Sequence, residues 1–405
     1  MDPIKNFDLF NPTQEHAMLR EMVRAFAKDE LEPQAAEHDR EEKFNLKLFR
    51  KLGELGLLGL TVPEQFGGSG QDATAACIVH EELSWSDPGF ALAYLAHSML
   101  CLNNIVHNAS LAQKEKFLPK LCSGEWVGCM AMSEPGAGTD VMSMITTAVR
   151  EGSHYRVNGR KMWITNGALD DKKTPADVEW LYACTAAADN RDRRAKISTF
   201  LVDRSIAGFT VGQKIQDKLG VRASNTAELI FDNCLVPVEN LVGLEGESGI
   251  HMMRNLELER LTLAAMSVGI ARRSVEVMTN YASERQAFGR SLHEFGQIQR
   301  HIAESYSEYR AAKAYLYETA RRLDLSKGGN RLDSDGVKLF ASTAAKNIAD
   351  RAIQVLGGYG YVGEYRVERL WRDAKLIEIG GGTLEAHQKN IARDLARNPG
   401  QLAQL

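Results

Sequence analysis

The chain has 405 residues, 44% of them hydrophobic, with 49 basic and 53 acidic side chains giving a net charge of −4. That length supports a large core shared among two or three domains, and a near balance of charge without a long basic tract argues against nucleic acid as the main partner. The six cysteines are scattered, with no CxxC pair and no histidine at metal-ligand spacing, so the expectation is a reducing compartment and no metal site.

In chain order, the opening MDPIKNFDLF has neither the basic region nor the apolar core of a secretory signal, and no apolar run approaches a membrane span. A soluble protein, cytoplasmic or from an organelle matrix, is expected. Residues 1–125 read as a helical domain. Asn11-Pro12-Thr13-Gln14 predicts a helix start capped by Asn11, after which Met18, Leu19, Met22, Val23 and Phe26 recur at helical spacing. GGSGQD at 67–72 breaks the helices.

Residues 126–240 change texture. TTAVREGSHYRVNGRKMWIT, ISTFLVDR, GFTVGQK and AELIFDNCLVP are strand-length runs, with Asn158-Gly159 predicting a hairpin turn and 169–177 a surface loop. A compact antiparallel β-domain is expected. Residues 241–405 return to long helical patterns, so the fold class is mainly α with an inserted β-domain.

LELERLTLAAMSVGIA, at 256–271, begins with two glutamates and then runs uncharged to Arg272. At 100° per residue Glu259 shares a stripe with Leu256, Leu263, Met266 and Ile270, while Glu257 lies opposite, near Leu261, Ala264 and Val268. Both acids suit the positive end of a helix dipole. Alternatively, one is a carboxylate held in apolar surroundings so that its pKa rises and it can take a proton. Periodicity does not choose between them.

Gly358, Gly360 and Gly363 match GxGxxG, but the match follows a helical pattern rather than a strand, so the dinucleotide fingerprint is rejected. Ser133-Glu-Pro-Gly-Ala-Gly-Thr139-Asp140 is a denser signal: such a loop can approach a flat ligand and offer amides and hydroxyls. Its plain reading is an interdomain turn. Trp163-Ile164-Thr165 sets a large ring beside another hydroxyl, and such a ring is usually core. Arg285 near a helix end suits a phosphate or a solvated charge. Glycines 380–382 strip one spot of side chains just before Thr383.

Together LGLLGLTVPEQFGGSG, AMSEPGAGTD, NGRKMWITNGA, KLGVRASNTAELIFDNCLVP, ERQAFG, QVLGGYGYVGEYRVERLWRDAK and GTLEAHQKNIARDL resemble the acyl-CoA dehydrogenase family, in its order and over nearly the whole chain. The resemblance implies a helical N-domain, a middle β-barrel and a C-terminal four-helix bundle. It also implies FAD as cofactor, an acyl-CoA substrate, an electron-transfer flavoprotein as electron acceptor, and a homotetramer or dimer. Most of the family carries its base as a glutamate before GT, where this chain has Gly381. An isovaleryl-CoA and long-chain subset carries it on the helix, one residue before an arginine, which is Glu259 here. EIGGGT is most similar to the isovaleryl branch, implying a short, branched acyl chain. Other flavin chemistry on an acyl-CoA (oxidase, reductase or desulfinase), a longer or aromatic acyl group, and a non-catalytic flavoprotein are the alternatives.

Carried over by position, the resemblance assigns Met130, Met132, Ser133, Thr139, Trp163, Ile164 and Thr165 to the flavin. Arg285, Gln354 and Gly358 from a neighbouring subunit would hold its ADP part, with Thr383 and Glu385 close by. Thr139, Glu257, Arg260, Gly381 and Gly382 fall on the substrate side, with the Gly381 N–H supporting the thioester oxygen. The family's glutamine eleven residues after the ERQAFG arginine is replaced by Gly296, with Gln297 adjacent.

Overall fold

A computed structural model of the chain describes residues 7–185 and 196–400, so the first six residues of MDPIKNFDLF lie outside the described part. The architecture is helices, then a sheet, then helices. Helix α1 (Gln14–Phe26) is capped by Thr13, whose hydroxyl accepts the His16 N–H. The expected cap, Asn11, instead accepts from Arg20 Nε at 2.7 Å. The buried face is also rotated from the expected one. Met18 and Met22 are exposed, while His16 and Arg20 are buried with Val23 and Phe26, because Glu81 and Glu82 draw the Arg20 guanidinium inward.

Three more helices follow: α2 (Glu32–Glu41), α3 (Leu46–Glu54) and α4 (Ala73–Ser86). Next comes one continuous helical stretch of α5 (Pro88–Leu95), a π-helical segment Ala96–Leu102 and α6 (Asn103–Asn108), before α7 (Leu111–Cys122). Pro88–Asn108 is long and apolar enough to cross a membrane by length and composition, contrary to expectation, but 94% of its most apolar window is buried within the protein. It is a core helix: its apolarity serves packing against neighbours on all sides.

The sheet comprises β1 (Gly128–Ala131), β2 (Thr147–Glu151), β3 (His154–Thr165), β4 (Val178–Cys184), β5 (Ile197–Asp203), β6 (Phe209–Lys214), β7 (Thr226–Pro237) and β8 (Leu241–Val242). Their order is β6-β7-β3-β2-β4-β5-β8, with β1 on β4. It is mixed rather than purely antiparallel, since β1 and β2 both meet β4 in parallel. Asn158-Gly159 is not the hairpin turn. It sits inside β3 at a register shift against β7, where a Cβ on Gly159 would meet Thr146 Oγ1 at 2.4 Å. The β2–β3 turn is at Gly152-Ser153 instead, and the glycine at 159 serves a bulge. In the 169–177 segment Leu169, Ala176 and Asp177 are buried, and only its tip is at the surface.

The remaining helices are α8 (Ser248–Glu284), α9 (Gly296–Arg322), α10 (Arg331–Leu356), α11 (Val367–Ile377) and α12 (Leu384–Arg397). Helix α8 starts well before LELERL, leaving Glu257 and Glu259 about three turns inside it. Its N-terminal dipole therefore does not explain them, because that effect fades within the first turn. One core cluster joins α4 and α5 to α8, α10 and α11, so the centre of α8 is buried between the two helical regions.

Candidate active site

Glu259 and Glu257 are both buried, and their partners separate them. Glu257 accepts the N–H groups of Gly329 and Asn330 at 3.1 and 2.9 Å, so its carboxylate closes the loop before α10. It does not join the cluster around Glu259. The loop backbone takes its charge, and the residue also lines a small pocket with Asn103, His107, Arg254 and Asn255.

Glu259 faces the glycine turn after α11. A Cβ built on Gly381 would stand 3.4 Å from Glu259 Oε1 and only 2.4 Å from Leu263 Cδ1. Gly381 also has φ +65, so this position excludes a side chain by conformation as well as by space. Glu259 Oε2 is buried without a hydrogen-bond partner. Among the described residues the Gly381 N–H donates to nothing, whereas Ile379 and Gly380 both donate to Leu376 O. A carboxylate oxygen and a backbone donor thus remain available side by side. Burial pushes the Glu259 carboxyl up to about 7, although the Arg260 and Lys338 charges pull the other way.

The surrounding charges form a compact network. Arg260 pairs with Asp335 at 2.9 Å and lies 3.4 Å from Gly381 O. Asp335 also receives His387 Nδ1 at 2.6 Å and Asn390 Nδ2 at 3.1 Å. Gly382 O is met by Lys338 Nζ at 2.6 Å and His387 Nε2 at 2.9 Å. Arg260 therefore lies between Asp335, the turn and Glu259, its Nη1 near Asp335 without forming a hydrogen bond. Asp335, Lys338 and His387 escaped the sequence reading. Their signal was a lysine on the small-residue face of α10, in line with Ala341, Ala345 and Ala352.

A second group forms at the end of β3. Trp163 is 63% exposed at φ +67, with Thr165 and Met130 half-buried. Ser133 O receives the Met162 N–H at 2.9 Å, tying the Ser133–Asp140 loop to β3. Glu134 shapes that loop from beneath. It accepts Lys161 Nζ and the N–H groups of Ile145 and Thr146, an arrangement around a buried Glu134–Lys161 pair that sequence reading missed. Burial raises the Glu134 carboxyl, but Lys161 and the two amides hold it below the usual range. Thr139 is exposed, and the space where Gly136 and Gly138 would carry a Cβ is open. Two residues assigned here contribute no free side chain. Ile164 packs into the sheet core, and Met132 is buried in the adjoining cluster with its carbonyl taken by Lys161. Even so, an exposed indole, three hydroxyls and an open glycine loop suit a flat ring joined to phosphates.

The third group is at the far end of α8. Arg285 and Gly358 line a cavity of about 540 Å³ with Tyr281, Leu292, Leu356 and Tyr359, the guanidinium lying 5.8 Å over the Tyr359 ring. Gln354 is exposed nearby on α10. GxGxxG is a 3₁₀ turn that ends α10, not a strand-to-helix loop. Thr383 spends its hydroxyl capping α12, and Glu385 lies exposed in that helix's first turn. Gly296 and Gln297 are both exposed, with open space beside Gly296.

Three domain models of one family match this chain in succession: Acyl-CoA dehydrogenase N-terminal domain over 13–125, middle domain over 129–234, and C-terminal domain over 248–396. The chain belongs to the acyl-CoA dehydrogenase family. Accordingly it is an oxidoreductase acting on a CH–CH bond of an acyl-CoA, in a family that depends on FAD. It is 43% identical to the mitochondrial isovaleryl-CoA dehydrogenase of Oryza sativa subsp. japonica, covering 96% of this chain and 92% of that protein. It is 39% identical to the mitochondrial 2-methylacyl-CoA dehydrogenase of Solanum tuberosum, again over 96% and 92%. Among solved structures, an acyl-CoA dehydrogenase of Bacillus anthracis complexed with FAD superposes with a TM-score of 0.87. That pair is 30% identical, covering 96% of this chain and 68% of the other.

Proposed function

We propose that this acyl-CoA dehydrogenase oxidises a short, branched acyl-CoA of the isovaleryl type, with Glu259 as the base and an electron-transfer flavoprotein as acceptor. The observation that carries the reading is the meeting of Glu259 Oε1 with the empty Cβ position of Gly381. Most of the family resembled above has a glutamate at the Gly381 position; here the carboxylate arrives from α8 at the same spot.

The chemistry follows from the groups present. The α-proton of a thioester is acidic because its carbonyl spreads the resulting charge. Glu259, drawn toward neutrality by burial, is poised to accept that proton near pH 7. The Gly381 N–H is available to the thioester oxygen, where a fixed donor supports enolate-like charge. The carboxylate is buried, with Leu263 beside it at the same Gly381 position, which limits its access to water. FAD, when bound, supplies the acceptor for the β-hydride. Trp163, Ser133, Thr139 and Thr165 are the residues to hold its ring and nearer phosphate. Arg285, Gln354 and Gly358 are the residues to hold its ADP end, in a homotetramer or dimer.

Anaerobic mixing with butyryl-, isobutyryl-, 2-methylbutyryl-, isovaleryl-, octanoyl- and phenylacyl-CoA tests this. The flavin is expected to bleach fastest with isovaleryl-CoA. Fastest bleaching by a long or aromatic thioester overturns the substrate class, and oxygen consumption without another acceptor overturns the dehydrogenase assignment in favour of an oxidase.

A further inference from the structure

Lys338 is buried on α10, and the hydrogen bonds around it have an unusual economy. Its ammonium donates to Gly382 O at 2.6 Å, the carbonyl next to the Gly381 amide. His387, on α12, contacts the same carbonyl from the other side and is itself oriented by Asp335. Lys338 therefore pins the turn that presents Gly381, and His387 lies on its other side, its one N–H in the neutral form going either to Asp335 or to Gly382 O. Gly381 and Gly382, at φ +65 and +106, hold a backbone conformation that needs such support.

The charges around the base can be assigned element by element. Arg260 on α8 pairs with Asp335 on α10. Glu378, at the end of α11, pairs with Lys375 at 2.6 Å. His387 on α12 is drawn toward the neutral form by burial, with Asp335 opposing. Tyr182 on β4 is uncharged, because burial pushes its hydroxyl up. Among the described residues, that leaves Lys338 as the cation of this cluster with no carboxylate of its own within ion-pair distance, and the Glu259 charge acts on it. Burial pulls the Lys338 ammonium down to about 7, opposed chiefly by the Glu259 charge, while burial moves Glu259 up to about the same value.

We infer that Lys338 is a positioning residue for the reaction: it fixes the Gly381–Gly382 backbone and, with Arg260, supplies the counter-charge that keeps Glu259 ionised until it takes the substrate proton. The inference rests on Glu259 being the base. Its sign is definite. A cation beside a carboxylate favours the ionised form, so removing it raises the carboxyl pKa further and moves the acid limb of activity to higher pH.

Lys338→Gln separates the two roles, since an amide can still donate to Gly382 O but carries no charge. The acid limb of its kcat/KM–pH profile should move up by about one unit, roughly a tenfold loss at pH 6.5 that shrinks above pH 9. Lys338→Met should show the same shift together with a further, pH-independent loss in kcat, because the turn is released. Lys338→Arg should return the limb toward wild type. Independently of turnover, the infrared band of the protonated Glu259 carboxyl, identified by its disappearance in Glu259→Gln, should titrate at higher pH in Lys338→Gln. A limb and a band that stay at their wild-type positions in Lys338→Gln overturn the inference. Failure of the functional reading is distinct: the wild-type flavin would then not bleach with any acyl-CoA, while the infrared titration would still report whether Lys338 and Glu259 are coupled.

Discussion

Helix α8 contributes to two buried carboxylate clusters that behave in opposite ways. At one, Glu81 receives Arg20, Lys313 and Tyr317, and Glu82 receives Arg20, Arg24 and Arg272, all at 2.5–3.0 Å. Burial alone would raise both carboxyls, yet three surrounding cations each bring them well below the ordinary range. At the other, thirteen residues earlier on α8 than Arg272, Glu259 keeps one oxygen unpaired, and Arg260 and Lys338 act on it without a direct hydrogen bond. Its carboxyl goes up. Burial is common to both sites; what differs is the number of donors provided. The first cluster locks α1 and α4 to α8 and α9, whereas the second leaves its acid able to exchange a proton.

The largest expected effect breaks the second site. Glu259→Gln should slow flavin reduction by an acyl-CoA by about 10²–10⁴-fold, measured anaerobically by stopped flow. In the wild type, kcat/KM should fall roughly tenfold per unit as pH drops below about 7, because the base must be ionised. A rate independent of pH from 5 to 8 would remove Glu259 from that role.

Next comes the first cluster. Glu81→Gln leaves Lys313 without a carboxylate and Arg20 and Arg272 with Glu82 alone, and should destabilise the fold by about 3–5 kcal/mol in denaturant unfolding. The two sites then contrast in pH. Glu81 and Glu82, with depressed pKa values, stabilise the fold above the ordinary carboxylate range, and that contribution is lost as pH falls through their folded values. Glu259, with a raised value, costs stability that appears as pH rises past 4.5 and is complete above about 7. Glu259→Gln should therefore raise Tm at pH 8 and leave it unchanged at pH 4.

Gly381→Ala is smaller. A methyl there meets Leu263 and a left-handed backbone, a strain of about 1–3 kcal/mol, and kcat/KM should drop by about tenfold. The smallest effect is Glu257→Gln. It weakens the cap on the 329–330 loop by about 1 kcal/mol and should change kcat by less than about threefold, because that carboxylate lies outside the proton-transfer cluster.

Much of this was legible along the chain because it depends on local order. The change from helical to strand texture near 126 and back near 245 marks the three-part architecture, and the fall of glutamate from the position of Gly381 directs attention to α8. Local patterns misled where tertiary contacts override them. Asn158-Gly159 has the composition of a turn but serves a bulge beside Thr146. Met18 and Met22 have core spacing on α1 but face solvent, because Arg20 is pulled inward by acids sixty residues away.

The sequence by itself determined the family, the order of helices and sheet, and the candidacy of two glutamates, since periodicity and motif order are written in one dimension. Only the tertiary structure separated those glutamates by their partners. It gave Glu257 two amide donors from the loop before α10, and left Glu259 a bare oxygen beside a turn 122 residues further on. It also brought Lys338, Asp335 and His387 to that turn. A carboxyl's proton affinity depends on which charges and dipoles share its low-dielectric surroundings, and those neighbours come from helices that no local pattern connects.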